Sequence, residues 1–333
     1  MAADIKFMKS ALTLAKKGIG NVESNPAVGC VVVKDNKIIG KGWHKKFGGA
    51  HAEINALKSC KQSPAGATMY VTLEPCCHFG KTPPCTNAII KAGIKKVVAA
   101  VKDPTRKVAG KGFKILKKAG IEIKTNICKN EAEKLNAPFF KFAKTKKPWV
   151  IVKWAQSSDG FLARSDEKRW ITNSASRKDV HNLRKKVQAI LVGINTVLAD
   201  DPMLTVRPDN GRQPLRVVLG RASKLPQNCN LFRTAKKSPV YIFKGRNLNN
   251  VLARLGKRNI QQLLVEGGQK VITSFLKQKL ADEIIIYTSN EKLARNGKIK
   301  TSQIMKKTYN RLKINYIDKR LFAKDVRLKG FIK

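Results

Sequence analysis

The triplet His51-Ala52-Glu53 is followed, 22 residues after Glu53, by Pro75-Cys76-Cys77, and then by Thr82-Pro83-Pro84-Cys85. No other feature constrains the fold of this chain as tightly. A catalytic zinc site needs three protein ligands and one position left open for water. His51 supplies a nitrogen, while Cys76 and Cys85 supply two thiolates that cancel the charge of Zn²⁺. Any fold honouring the motif must bring these three residues to one point and leave Glu53 unspent beside them. Glu53 stands two residues from His51 at the start of a predicted helix, close enough to serve the metal without ligating it. Cys85 opens a second predicted helix, entered through Pro83-Pro84, where the helix dipole favours the thiolate.

A histidine, a non-ligand glutamate and a later Pro-Cys…Cys pair are the parts of a hydrolytic zinc deaminase. In such a site Glu53 takes a proton from the attacking water and passes it to a ring nitrogen, then to departing ammonia. Cys77 could replace Cys76 as ligand, but in this signature the cysteine directly after proline coordinates. His78 could ligate, or could line the pocket. A structural zinc site would close its fourth position with Cys or His. Cys30 or Cys60 could do so, yet neither explains a spare carboxylate in His-x-Glu. Cys60, Cys128 and Cys229 read more simply as core residues. Most deaminases of nucleosides and nucleic acids use Pro-Cys-x-x-Cys, whereas eight residues separate Cys76 from Cys85 here. That longer loop puts His78, Lys81 and Thr82 beside the metal. It suits a small phosphorylated substrate better than a base flipped from a strand.

At 333 residues the chain is too long for this activity alone, and two domains are expected. Helix and strand signals alternate through the first half. Helices are expected over 5–17, 51–59, 86–92, 113–118 and 131–142, with strands over 28–33, 37–43, 69–73, 97–101 and 121–124. Asp35-Asn36 is the turn of a hairpin. This pattern predicts a three-layer α/β/α domain. The charged, proline-closed stretch Lys144-Thr145-Lys146-Lys147-Pro148 divides it from a second α/β domain, giving 1–146 and 147–333. Strands are expected there at 149–154, 189–192, 216–219, 240–243, 262–265 and 283–287, with helices near 174–187, 247–256 and 268–280.

No apolar run reaches the 18 residues of a membrane span, and no signal-peptide core follows Met1. Seven scattered cysteines do not form a disulfide framework, which fits a reducing cytoplasm. The net charge of +46, from 68 basic and 22 acidic residues, admits nucleic-acid binding. The cations spread along the whole chain instead of gathering in a tail or stripe. The simpler reading is therefore compositional drift, with nucleic acid bound only non-specifically.

Taken together, the motifs resemble the bifunctional riboflavin-biosynthesis deaminase/reductase family over nearly the whole chain. The resemblance rests on Asn25-Pro26-Ala27-Val28-Gly29-Cys30, the His51-Ala52-Glu53 triplet and the block from Thr72 to Cys85. In the second half it rests on Ser157-x-Asp159-Gly160, Trp170-Ile171-Thr172, the run from Gly193 to Arg207, Val265-Glu266-Gly267-Gly268 and Lys324-Asp325-Val326-Arg327-Leu328. It implies a cytidine-deaminase-like domain followed by a dihydrofolate-reductase-like domain. The first would use one zinc per chain to deaminate a diaminopyrimidine ribosylamino phosphate. The second would use NADPH to reduce the ribosyl group to ribityl. By the same resemblance NADPH would meet Ala155, Trp170, Thr196, Asp200 and the loop from Gly268 to Ser274. The substrate would meet Arg184, Leu204, Arg207 and Glu266, with Lys153 near the reacting sugar. Self-association is implied as well.

The residues alone say less. Gly267-Gly268 follows an apolar strand and opens a helix, an anion-binding arrangement, but Gly-Gly turns are common. No Gly-x-Gly-x-x-Gly follows a strand, so a dinucleotide site would not be of Rossmann type. Arg184 and Arg207 are two of many cations, and Trp170 by itself reads as core. Departures from the family fall at Thr105, Lys168, Asn195 and Gly220-Arg221, mostly in the reductase half. The rival expectation is a tRNA-type zinc deaminase with a basic accessory domain.

Overall fold

The computed structural model describes residues 2–168, 170–208, 212–245 and 247–332. It divides into two compact units, Met1–Lys146 and Lys147–Lys333. Among the described residues no helix is long and apolar enough to cross a membrane.

Unit 1 contains strands β1 (Gly29–Lys34), β2 (Lys37–Trp43), β3 (Thr68–Val71), β4 (Lys96–Ala99) and β5 (Glu122–Thr125). Its helices are α1 (Ala2–Lys16), α2 (Ala52–Lys58), α3 (Cys85–Lys91), α4 (Lys111–Lys118), α5 (Lys129–Leu135) and α6 (Ala137–Thr145). The sheet order is β2-β1-β3-β4-β5. β1 pairs antiparallel with β2 and β3, and β3, β4 and β5 run parallel. Asp35 and Asn36 turn the β1–β2 hairpin with φ of 48° and 57°, the positive values a tight hairpin needs.

Alternation along the strands builds the three layers. Val31, Val33, Tyr70, Val98 and Ala100 face α1 and α5. Cys30, Val32, Met69, Val71, Val97 and Ala99 face α2, α3 and α4. Close packing needs a bare backbone at Gly42, where a Cβ would lie 2.2 Å from the amide nitrogen of Ala56. The single helix expected over 131–142 is two helices broken at Asn136. Pro138, in the first turn of α6, has no N–H to continue α5. The Asn136 side chain instead brackets Ala27, accepting from its N–H at 2.8 Å and donating to its carbonyl at 2.9 Å.

Unit 2 contains β6 (Trp149–Gln156), β7 (Phe161–Arg164), β8 (Ala189–Gly193), β9 (Leu215–Leu219), β10 (Val240–Phe243), β11 (Gln262–Val265), β12 (Glu283–Thr288), β13 (Gly297–Lys300), β14 (Ile314–Phe322) and β15 (Asp325–Ile332). Its helices are α7 (Ser174–Lys186), α8 (Ile194–Asp200), α9 (Asn230–Arg233), α10 (Leu248–Lys257), α11 (Gln269–Lys277) and α12 (Gln303–Asn310). Eight strands form one sheet in the order β10-β9-β8-β11-β6-β12-β15-β14, and β13 pairs with β7. The six strands from β10 to β12 run parallel, and β15 and β14 are antiparallel. α10 and α11 bury Val251, Leu252, Leu255, Ile272 and Phe275 on one face. Val197 of α8 and Leu231 of α9 pack on the other. Layers on both faces explain why these strands read as continuous apolar runs.

Candidate active sites

The two helices that face one side of the unit 1 sheet begin at the same place. His51 is the residue before α2, with extended backbone, and Cys85 is the first residue of α3. Cys76 lies in the segment after β3. The His51 Nδ1 atom is 3.2 Å from Cys85 Sγ and 3.4 Å from Cys76 Sγ. All three donor atoms lie within 4.8 Å of one another. Tetrahedral Zn²⁺ with ordinary bond lengths would hold a nitrogen and a sulfur about 3.5 Å apart, so this donor set fits the ion. Among the described residues no fourth His, Cys, Asp or Glu joins the cluster. Cys77 turns away, its Sγ 3.9 Å from the Lys107 carbonyl.

A hydrogen bond from Cys85, with help from His51, holds the Cys76 thiol down to about 4, and the same pairing pushes Cys85 up. The backbone N–H of Cys85 also donates to Cys76 Sγ at 3.3 Å. Glu53 is 4% exposed in the first turn of α2. Burial, reinforced by Cys76, lifts its carboxyl to about 7, and it is hydrogen-bonded to Cys85. That value suits a group that must both accept and return a proton near neutrality. The far ring nitrogen of His51, Nε2, is 3.3 Å from Thr82 Oγ1. Such a partner fixes the ring so that Nδ1 faces the two cysteine sulfurs.

Sequence reasoning missed Glu74, which organises the loop beside the site. It is 3% exposed. Its Oε2 accepts from the N–H groups of Asp103 and Gly110, and its Oε1 from those of Gly112 and Phe113. The only sequence cue was its place directly before Pro75. Thr105, one of the departures, spends its N–H and hydroxyl on Asp103 Oδ1 at 2.7 and 2.5 Å.

In unit 2 every reductase residue expected from the sequence lines one cavity of about 2770 Å³. Lys153, Ala155, Trp170, Arg184, Thr196, Asp200, Leu204, Arg207, Glu266, Gly268 and Ser274 all contribute to its wall. The topology brings the first of them together. β6 and β11 run parallel with Val152 opposite Val265, so Lys153 and Glu266 emerge side by side. Arg184 donates to Glu266 from Nε at 2.9 Å and Nη2 at 2.8 Å, and from Nη1 to the Thr205 carbonyl at 3.2 Å. Its guanidinium is therefore held by protein groups, unlike a free phosphate ligand. Burial opposes the charge on Glu266, yet Arg184 and Lys153 hold its carboxyl at about 2. Burial lowers the Lys153 amine, whose Nζ lies 5.7 Å from the centre of the Tyr287 ring.

The remaining wall is built around the turn into α11 and the exposed ring of Trp170. Gly268 precedes α11, and its N–H donates to Thr196 Oγ1 at 3.1 Å. A Cβ at Gly267 would lie 2.8 Å from Val271 Cβ, so only glycine keeps this turn against the helix. Trp170 is 52% exposed, with Arg177 stacked 5.2 Å over its ring. Ser274 bonds within its own helix, to the Lys270 carbonyl. Two further groups carried no sequence signal. His181 lines the cavity with Nδ1 buried and unpartnered. Arg216, fully buried, donates to the carbonyls of Met203, Leu231 and Ser238, which anchors the wall segment before Leu204.

Residues 1–101 match the cytidine and deoxycytidylate deaminase zinc-binding region, and residues 148–313 match the RibD C-terminal domain. The chain is 44% identical to riboflavin biosynthesis protein RibD of Aquifex aeolicus (strain VF5) over 306 residues, covering 85% of this chain and 86% of that protein. It is similar to the structure of Acinetobacter baumannii RibD, with a TM-score of 0.90 at 38% identity over 100% of this chain and 99% of the other. A Thermotoga maritima diaminohydroxyphosphoribosylaminopyrimidine deaminase/5-amino-6-(5-phosphoribosylamino)uracil reductase superposes with a TM-score of 0.88 at 35% identity, again over 100% and 99%.

Proposed function

Because the chain belongs to the RibD family of bifunctional riboflavin-biosynthesis proteins, we propose that its two activities divide between its two units. Zinc-dependent deamination belongs to Met1–Lys146, with its cytidine-deaminase-like fold. NADPH-dependent reduction belongs to Lys147–Lys333, with its dihydrofolate-reductase-like fold. The rival reading, deamination of RNA, is not favoured by this membership.

In unit 1 we assign His51, Cys76 and Cys85 as the zinc ligands. Bound zinc supplies the Lewis acidity that readies a water for attack on the pyrimidine carbon bearing the amine. Glu53 would accept one proton of that water and pass it to the ring nitrogen, then carry the proton left on the new hydroxyl to the amine, which leaves as ammonia. Its burial beside the cluster is the observation that carries the assignment. Thr82 keeps the His51 ring in its ligating orientation.

In unit 2 NADPH supplies the hydride that converts the ribosyl group to ribityl. Ala155, Trp170, Thr196, Asp200, Gly268 and Ser274 are assigned to the cofactor. Arg184, Leu204, Arg207 and Glu266 are assigned to the substrate. Arg207 is exposed on the cavity wall and, of the two arginines assigned to the substrate, is the one left for the phosphate. Arg184 acts by holding Glu266, which faces the pyrimidine. Lys153 stands at the sugar and protonates the ring oxygen as the ribosyl group opens.

A cytoplasmic location and self-association belong to the same proposal. Seven free cysteines support the first, and light scattering tests the second. The decisive experiment is mass analysis of products from the diaminopyrimidine ribosyl phosphate. Without NADPH, oxygen should replace the exocyclic NH; with it, two hydrogens should be added. Reduction without prior loss of ammonia would overturn the proposed order.

A further inference from the structure

The unit 2 sheet sets the direction in which an extended dinucleotide runs. Its parallel strands stand in the order β10-β9-β8-β11-β6, and ligands of open α/β sheets lie outside the C-terminal ends of such strands. The reducing end belongs at Lys153 and Glu266, beside β6 and β11. The turn at Gly267-Gly268, bonded to Thr196, lies between the ends of β11 and β8 and suits the pyrophosphate. Neighbouring strands are about 4.8 Å apart, so the adenosine half continues over the ends of β9 and β10.

Two loops meet at that place. β9 runs into Gly220-Arg221 and a single turn, Ala222–Lys224, and β10 runs into Lys244-Gly245. The Gly220 N–H donates to the Phe243 carbonyl at 3.0 Å, tying one loop to the other. Only glycine fits at position 220, where φ is +157° and a Cβ would lie 2.5 Å from Ile194 Cβ. Gly220, Arg221, Ser223 and Lys244 wall a hollow of about 480 Å³. Three of these, Gly220, Arg221 and Lys244, also line the main cavity. Among the described residues Arg221 and Lys244 have no ion-pair partner, and both are exposed.

Cations abound on this chain, but these two differ from the rest in position. They flank one hollow, on adjoining loops, where the topology delivers the adenosine ribose. A guanidinium grips a phosphate monoester with two parallel N–H bonds, and an ammonium adds a point charge. We propose that Arg221 and Lys244 read the 2′-phosphate of NADPH and so set its preference over NADH. The proposal rests on the cofactor lying along these strand ends, as assigned above.

Calorimetric titration of the full-length protein with NADP⁺, NAD⁺, 2′,5′-ADP and 5′-AMP tests it. The unaltered protein should favour the 2′-phosphorylated member of each pair by about tenfold or more. The double variant Arg221→Ala/Lys244→Ala should bring both ratios to about unity by weakening NADP⁺ and 2′,5′-ADP alone. Arg221→Lys, which keeps the charge and loses the fork, should fall between. Lys236→Ala, an exposed cation before β10 at the opposite end of that strand, should leave the ratios where they were. Coincident thermal unfolding curves would show that the variants are folded. A double variant with undiminished ratios, or with all four ligands weakened equally, overturns the assignment. Unaltered protein that binds neither dinucleotide would overturn the cofactor reading itself, and this inference with it.

Discussion

Replacing Glu74 with glutamine should loosen one loop of unit 1 and leave its sheet intact. The carboxylate accepts from Gly110 N at 2.9 Å, Asp103 N at 3.1 Å, Gly112 N at 3.1 Å and Phe113 N at 3.4 Å. Glutamine keeps one oxygen and turns the other into an NH₂ group aimed at two N–H donors. A hydrogen bond to a charged group contributes about 1.5–3 kcal/mol net, and the longest of these belongs at the low end. Losing two at about 1.5 kcal/mol each gives about 3 kcal/mol, or roughly a 100-fold rise in local opening. Hydrogen–deuterium exchange of peptides spanning 102–113 measures that factor directly. Peptides from β3 and β4 serve as the internal reference. Deamination should fall with the loosened loop, while reduction of a substrate already deaminated should not change. Exchange over 102–113 within about threefold of the unaltered protein would refute the reasoning, because opening would then not depend on the carboxylate.

Glu53→Gln should retain zinc by atomic absorption and lose deamination by about 10²–10⁴-fold, the worth of a positioned acid–base group; normal turnover would remove Glu53 from proton transfer. Arg184→Leu should show in the acid limb of stability. Burial would raise the Glu266 carboxyl, but Arg184 and Lys153 hold it at about 2 against an ordinary 4.5. A depressed folded value gives stability that is whole above about pH 4.5 and drains as pH falls toward 2. The gap corresponds to about 3 kcal/mol, so Arg184→Leu should lose a similar amount at pH 7 and flatten the pH 4.5-to-2 slope in urea titrations. An unchanged slope would rule out the pair as its source. Lys153→Ala should abolish NADPH oxidation with ammonia release intact; joint loss of both would argue against separate sites.

The sequence alone determined the metal chemistry. Its signal is local: a His-x-Glu at a helix start, a Pro-Cys, and a Cys opening the next helix occupy 35 consecutive positions, 51–85. Residue type and spacing suffice there, because two helix starts bring His51 and Cys85 together and the short segment after β3 adds Cys76. Asp35-Asn36 announced its hairpin turn, and Gly267-Gly268 its tight turn before α11, for similarly local reasons. Other features were illegible. β14 and β15 close the chain without a readable alternation, and β14 leaves Tyr316 and Leu321 46% and 72% exposed. Tertiary structure decided which charged side chain met which partner. Glu266 takes Arg184 from 82 positions away, Glu74 gathers N–H groups 29–39 positions on, and Asn136 brackets Ala27 across 109. Among 68 basic residues no single cation declares its role. Charge is additive along a chain, but a carboxylate's partner is chosen by the parallel strands and helix ends that bring distant backbone to the same few ångströms.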